Sequence, residues 1–204
     1  MSAPSSETAT RPRRGRPASA TRQQVLDAAT DRYLRGQRVD VQSIAAELGL
    51  GRTTIYRWFG SREELIGDVL VRVTEPLLAD ARRGARGRGA ARLLDVFDRF
   101  NHGLVEAPAL RKFVERERAA AVRIITSGAG NVQPRNVAMI TAVIAEEVDA
   151  GRYEPPVEAA VLGYAVVRLA EAFLFNETAT GMRTSVDRLR EVEAALLGVR
   201  AQRP

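Results

Sequence analysis

The chain has 204 residues, 45% of them hydrophobic, and a formal net charge of +6; that suffices for a real core, as one compact unit or a small domain plus a larger one. It has no cysteine and a single histidine, His102, which excludes a disulfide framework and a thiolate metal site. Residues 1–60 carry ten arginines against five acids, whereas residues 61–204 carry 21 basic and 20 acidic side chains. The positive excess therefore sits at the N-terminal end, as a phosphate-binding surface requires.

Residues 1–20 are rich in Ser, Thr, Pro, Ala and Arg and are expected to be disordered when free. They contain Arg13-Arg14-Gly15-Arg16-Pro17, a strip thin enough for Arg14 and Arg16 to enter a minor groove; the alternative is a solvated basic tail. No apolar run opens the chain, so no secretory signal is expected. A first helix is predicted over 21–35, with Val25, Leu26, Ala29, Tyr33 and Leu34 as its apolar set and Gly36 at its end.

Asp40 then caps a short helix whose apolar face is Ile44, Ala45 and Leu48. Gly49 stands where that helix must turn, and Ile55 anchors a second short helix. A small residue, a turn glycine and an apolar anchor at this spacing let two helices cross closely, as in a helix-turn-helix. The second helix carries Arg52, Thr53, Thr54, Tyr56 and Arg57, which are side chains suited to a DNA groove. Arg52 can pair bidentately with guanine, Arg57 can reach a base or a phosphate, and Thr54 can touch a thymine methyl. Thr53 and Tyr56 suit phosphate, and Gln42, early in the preceding helix, suits a base edge or phosphate. A solvated helix face is the bland alternative for each. Trp58 and Phe59 are expected to pack the head against the next helix.

After Gly60, Ser61 and Glu64 form a capping box for a new helix through Leu65, Val69, Val73 and Leu77, with Pro76 inside it. Arg62 lies in its first turn, where the backbone dipole also favours phosphate. Residues 82–90 look like a mobile connection. Leu93, Phe97, Phe100 and Leu104 make an apolar stripe, a short helix follows Pro108, and residues 126–136 look like a loop. Helices are predicted near 136–150, 157–177 and 185–199. The most apolar stretch, Glu158 to Phe175, is broken by Arg168 and Glu171, so it reads as a buried helix, and a cytoplasmic protein without membrane contact is expected.

No alternating strand pattern is visible. The fold expected is all-α: a three-helix head at 21–66 behind a basic arm at 1–20, and a helical body at 67–204. His102 suits a polar structural role; no nucleophile motif or phosphate-binding glycine loop accompanies it, so neither an enzyme nor a metal or cofactor is expected. Phe97, Phe100, Asn101, Phe113, Met139, Tyr164 and Arg168 are candidates to line an apolar pocket with a few polar groups, ordinary core being the alternative. Arg168 in so apolar a helix needs an acceptor, which Glu171, a helix carbonyl, the other subunit or a ligand oxygen would supply.

Over residues 22–70 the chain resembles the TetR family of bacterial transcriptional regulators. The matching residues are Val25-Leu26-Asp27-Ala28-Ala29, Ile44-Ala45, Leu48-Gly49-Leu50, Thr54-Ile55-Tyr56, Phe59 and Ser61-Arg62-Glu63-Glu64-Leu65. Arg62 stands where the family usually has Lys, and Val39-Asp40-Val41 where it often has Thr. The resemblance implies a phosphate contact for Tyr56, and a body that binds ligand and dimerises through the last two long helices. The ending Phe173-Leu174-Phe175-Asn176, Gly181, Asp187 and Leu196-Leu197-Gly198 resembles a branch associated with quorum-quenching lactone degradation. The resemblance implies a homodimeric repressor on a pseudo-palindromic, double-stranded operator, released by a small organic effector of lactone or acyl type. The alternative is a DNA-binding protein without a small-molecule effector.

Overall fold

The computed structural model of the protein describes residues 20–175 and 186–199, and the described residues form ten α-helices and no strand. The expected basic arm, with Arg14 and Arg16, lies outside them. The head consists of α1 (Arg22–Leu34), α2 (Val41–Glu47) and α3 (Arg52–Phe59). The long α4 (Arg62–Gly84) leads to α5 (Gly89–Glu106), α6 (Pro108–Arg116), α7 (Arg118–Thr126), α8 (Val132–Asp149), α9 (Ala159–Phe175) and α10 (Val186–Leu196).

Local chemistry starts these helices where the sequence places them. The Thr21 hydroxyl accepts from the Gln24 N–H while the Gln24 side chain accepts from the Thr21 N–H. Ser61 and Glu64 repeat that exchange at the start of α4, and the Asp40 carboxylate accepts from the Ser43 N–H at 2.9 Å. Each such cap is worth about 1 kcal/mol. Between α2 and α3 the chain turns at Gly49 with φ +64°, a conformation that costs a side-chain-bearing residue energy.

Three connections differ from expectation. The segment 82–90 is not a loose linker: α4 runs to Gly84 and α5 begins at Gly89. Its short turn is held by carboxylates further along the chain, the Arg86 N–H donating to Asp95 at 2.7 Å and the Gly89 N–H to Glu147 at 2.9 Å. The single helix expected after Pro108 is two, α6 and α7, broken at Glu117 with φ −131°. The loop expected through 136 ends early, because α8 takes Pro134 into its first turn, where a missing N–H costs nothing.

Two cores result. One joins α1–α3 to the first half of α4 and, less expectedly, to α6 and α7 through Leu110, Phe113, Ile124 and Ile125. The Tyr33 and Phe113 rings meet edge to face at 6.0 Å. The other unites the second half of α4 with α5, α8, α9 and α10 around Leu93, Phe97, Ile144, Leu162 and Leu197. Here α8 and α9 come together at Gly163, where a Cβ would stand only 3.1 Å from Thr141 Cα. Helix α4 crosses the expected head–body boundary and feeds both cores. None of the described helices is long and apolar enough to cross a membrane.

Candidate functional site

Helix α3 is two-faced because its apolar residues are four apart. Ile55 and Phe59 are buried, while Arg52, Thr53, Tyr56 and Arg57 are exposed and Thr54 is half-buried. The exposed four form two i, i+4 pairs, so they share one side of the helix. Gln42, exposed on α2, completes the set. Three other arginines of the head are spent internally: Arg32 pairs with Glu47, Arg35 with Asp31, and Arg22 with Asp68. Arg22 also lies 4.3 Å from the centre of the Phe59 ring. Arg52 and Arg57 stand without an acidic partner among the described residues. This face is therefore a donor-rich, positively charged ridge with uncompensated charge.

Arg62 does not join that ridge. Its Nε donates to the Val39 carbonyl at 2.7 Å and its Nη2 to Glu117 at 2.9 Å, and its side chain is only 22% exposed. Where a phosphate contact was expected, the side chain is engaged within the chain: the acid it meets, Glu117, is 55 residues away in sequence and invisible to a local reading. The Arg62 guanidinium, once desolvation is offset, holds the Glu117 carboxyl below the usual range. The arginine thus ties the head loop to the junction of α6 and α7. Arg116 adds to the tie by donating to the carbonyls of Gly36 and Gln37.

The body contains a small cavity of about 50 Å³, walled by α5, α7, α8, α9 and α10. Phe97, Phe100, Asn101 and Met139 line it as expected. The other candidates do not converge there. Phe113 packs on Tyr33 in the head-side core. Tyr164 is 52% exposed on the outside of α9, one turn along from the exposed Val161. Arg168 stands at the border, donating to Glu171 at 2.7 Å and to the Thr126 carbonyl at 3.2 Å; two of the four acceptors considered for it are the ones it uses.

The wall also holds two acids that the sequence reading did not place there. Glu193 is fully buried and accepts from Asn101 Nδ2 at 3.1 Å. Glu171 is 5% exposed and accepts from Gln133 Nε2 at 3.1 Å as well as from Arg168. Burial raises both carboxyls, Glu193 up to about 8. The available signal was periodicity: Glu193 falls four residues after Leu189 and four before Leu197, on the buried face of α10.

A family model, the tetracyclin repressor-like C-terminal domain, matches residues 88–198. The R. erythropolis transcriptional repressor QsdR, of the TetR family, has a solved structure that is 30% identical, with a TM-score of 0.83 over 90% of this chain and 97% of that one. The chain belongs to the TetR family. A TetR-family transcriptional regulator from Streptomyces coelicolor also matches, at 21% identity and a TM-score of 0.47 over 87% of this chain and 80% of that one. Comparison with curated proteins gives no match. As a TetR-family member this protein is a DNA-binding transcriptional regulator, with its helix-turn-helix at the N-terminal end and the matched helical domain behind it.

Proposed function

We propose that this regulator is a homodimeric repressor whose body binds a small effector and thereby loosens the hold of its heads on a pseudo-palindromic operator. One observation carries the ligand response. Helix α7 has one end at the cavity and the other at the head. Ile125 lines the cavity, and the Thr126 carbonyl accepts from Gln133 and Arg168. Nine residues back, Glu117 holds Arg62 and through it the Val39 carbonyl. A shift of the cavity wall is therefore mechanically continuous with the loop that orients α2 and α3. QsdR is a repressor by its description, which supports the same sign of regulation here.

The dimer reading rests on an apolar stripe that nothing among the described residues covers. Val157, Val161, Tyr164 and Val192 are all 39% exposed or more. Leu162 and Leu197, on the same two segments, are buried within the subunit. Pairing α9 and α10 across a two-fold axis would fix the distance between heads, which must match half-sites about one turn of DNA, or a multiple of it, apart. On DNA we assign Arg52, Thr53, Thr54, Tyr56, Arg57 and Gln42 as contacts, with Arg14 and Arg16 of the arm in the flanking minor groove. The branch resemblance alone points to a lactone or acyl-type effector; the cavity's own side chains favour a different polar end. Sedimentation at micromolar concentration and operator titration with a ligand panel test this reading. A stable monomer that binds the full palindrome tightly would sink the dimer, and operator affinity indifferent to every ligand would sink the sensor.

A further inference from the structure

The cavity is unbalanced in charge and in hydrogen bonding. Among the described residues its lining is apolar except for Asn101, Asn136, Glu171 and Glu193, and holds no basic side chain. Glu171 has its counter-charge, because Arg168 reaches it from the edge at 2.7 Å. Glu193 has only the Asn101 amide, whose single nitrogen serves both carboxylate oxygens at 3.1 and 3.4 Å. Asn136 is also in the lining, and its Oδ1 atom is buried with no hydrogen-bond partner among the described residues. Among the described residues, then, no cation is in hydrogen-bond contact with Glu193 and no donor meets Asn136 Oδ1. A leucine at 193 would pack on this face at no such cost, since an uncompensated buried acid is destabilising.

We infer that the cavity is built for an organic cation of the ammonium class, its apolar body among Phe97, Phe100 and Met139 and its charged N–H groups on Glu193 and Asn136 Oδ1. The inference rests on the reading of the body as an effector site and names the effector's chemical class in place of the lactone. A lactone brings acceptors only and would leave the Asn136 oxygen unserved.

The groups around Glu193 set the pH behaviour. From α5, Asn101 donates to it and Asp98 stands behind it; from α10, Arg190 lies near but is shared with Asp98 at 3.4 Å. His102 lies 3.5 Å from Asp98 on the outer side. From α9, Glu171 faces the same cavity and is neutralised by Arg168. Desolvation dominates and carries the carboxyl to about 8. In the free protein at neutral pH the acid is protonated, so an ammonium ligand binds by expelling one proton from Glu193 to solvent.

The test is calorimetric titration of the full-length protein with octylammonium, octanol and γ-octalactone, in buffers of different ionisation enthalpy. Octylammonium should bind more tightly than the two neutral compounds and release close to one proton at pH 7. Its affinity should rise about tenfold per pH unit towards about pH 8 and then level. Glu193→Gln should weaken octylammonium at least about thirtyfold, the least expected for removing one partner of a buried charge pair, and abolish the proton release. Proton release is read on the unaltered protein, so the proposal stands or falls even if that variant misfolds. Equal or tighter binding of octanol or the lactone, binding without proton release, or no binding of octylammonium overturns it. Operator binding by the same preparation separates the two readings. Release by the lactone alone leaves the repressor and discards the ammonium, whereas indifference to every ligand discards the sensor itself.

Discussion

Glu193→Gln should stabilise the protein in a strongly pH-dependent way. The Glu193 carboxyl rises from an ordinary 4.5 to about 8 because burial disfavours its charge. A group whose folded value is raised contributes fully below its unfolded value and loses that contribution as pH rises. Below about pH 4.5 the acid is protonated in both states. Above it the unfolded chain ionises and the folded chain does not, so stability falls by about 1.4 kcal/mol per pH unit. The fall ends near pH 8, when the folded acid ionises too, and the whole window corresponds to about 5 kcal/mol. Glutamine keeps the shape and an oxygen for Asn101, and removes the titration. Its advantage in Tm should be small at pH 5 and grow to pH 8, at about 2–4 °C per kcal/mol for a chain of this size. Glu147 does not blur this window. Arg152 above all, with the Gly89 N–H and Arg92, holds it down to about 2, so its stabilisation is lost only as pH falls below the carboxylate range. Thermal unfolding followed by circular dichroism between pH 5 and 9 checks the reasoning. Parallel curves for variant and wild type would refute it.

Arg52→Ala should weaken operator binding by about 1–3 kcal/mol and relax base preference, whereas Tyr56→Phe should weaken binding without changing the preferred sequence; footprinting on randomised operators separates the two. Deleting residues 1–18 should lower affinity most on operators flanked by A·T-rich DNA and make its salt dependence shallower, as isotherms at several salt concentrations would reveal. Arg62→Ala should leave the cavity's ligand affinity in place but shrink the effect of ligand on operator affinity, because the tie from Glu117 to the Val39 carbonyl is cut; an undiminished ligand effect in a fluorescence anisotropy titration would rule that tie out as the link.

The head was legible because its information is local. The caps at Asp40 and Ser61, the turn at Gly49 and the spacing of Ile55 and Phe59 each act within four residues. Arg62 misleads for the opposite reason: it sits at a helix start that favours phosphate, but its partner lies 55 residues on. The segment 82–90 has the composition of a linker, and only the carboxylates of Asp95 and Glu147 make it a fixed turn. In the body, helix periodicity finds the core stripes but cannot tell which of several apolar faces meet around a void. Phe97 and Phe100 face the cavity while Phe113, equally apolar in context, closes the head-side core. Tyr164 reads as a pocket residue in sequence and stands on the outer face of α9. The buried acids escape a sequence reading because a glutamate in a helix is ordinarily a solvated one.

A ligand can act on the operator only through a free-energy difference between two arrangements of the body. To lower occupancy about a hundredfold it must favour the released arrangement by roughly 2.7 kcal/mol. Burial holds Glu193 protonated in the free protein, so a cation that meets it must first displace that proton. In the proposed response the ligand meets Asn101 of α5 at Glu193, and the cluster of Glu171, Arg168 and Gln133 around the Thr126 carbonyl links the cavity to α7. Helix α7 ends at that carbonyl, and its hydrogen-bonded backbone passes a displacement along its length with little loss. Along its length it abuts the core beneath α1 and α4 through Ala121 and Ile124, and its far end borders the pair of Glu117 and Arg62. A close-packed core resists gradual deformation, so the head should respond as a repositioned unit. Because α6 and α7 share its core, the proposed response has a packed route into the head.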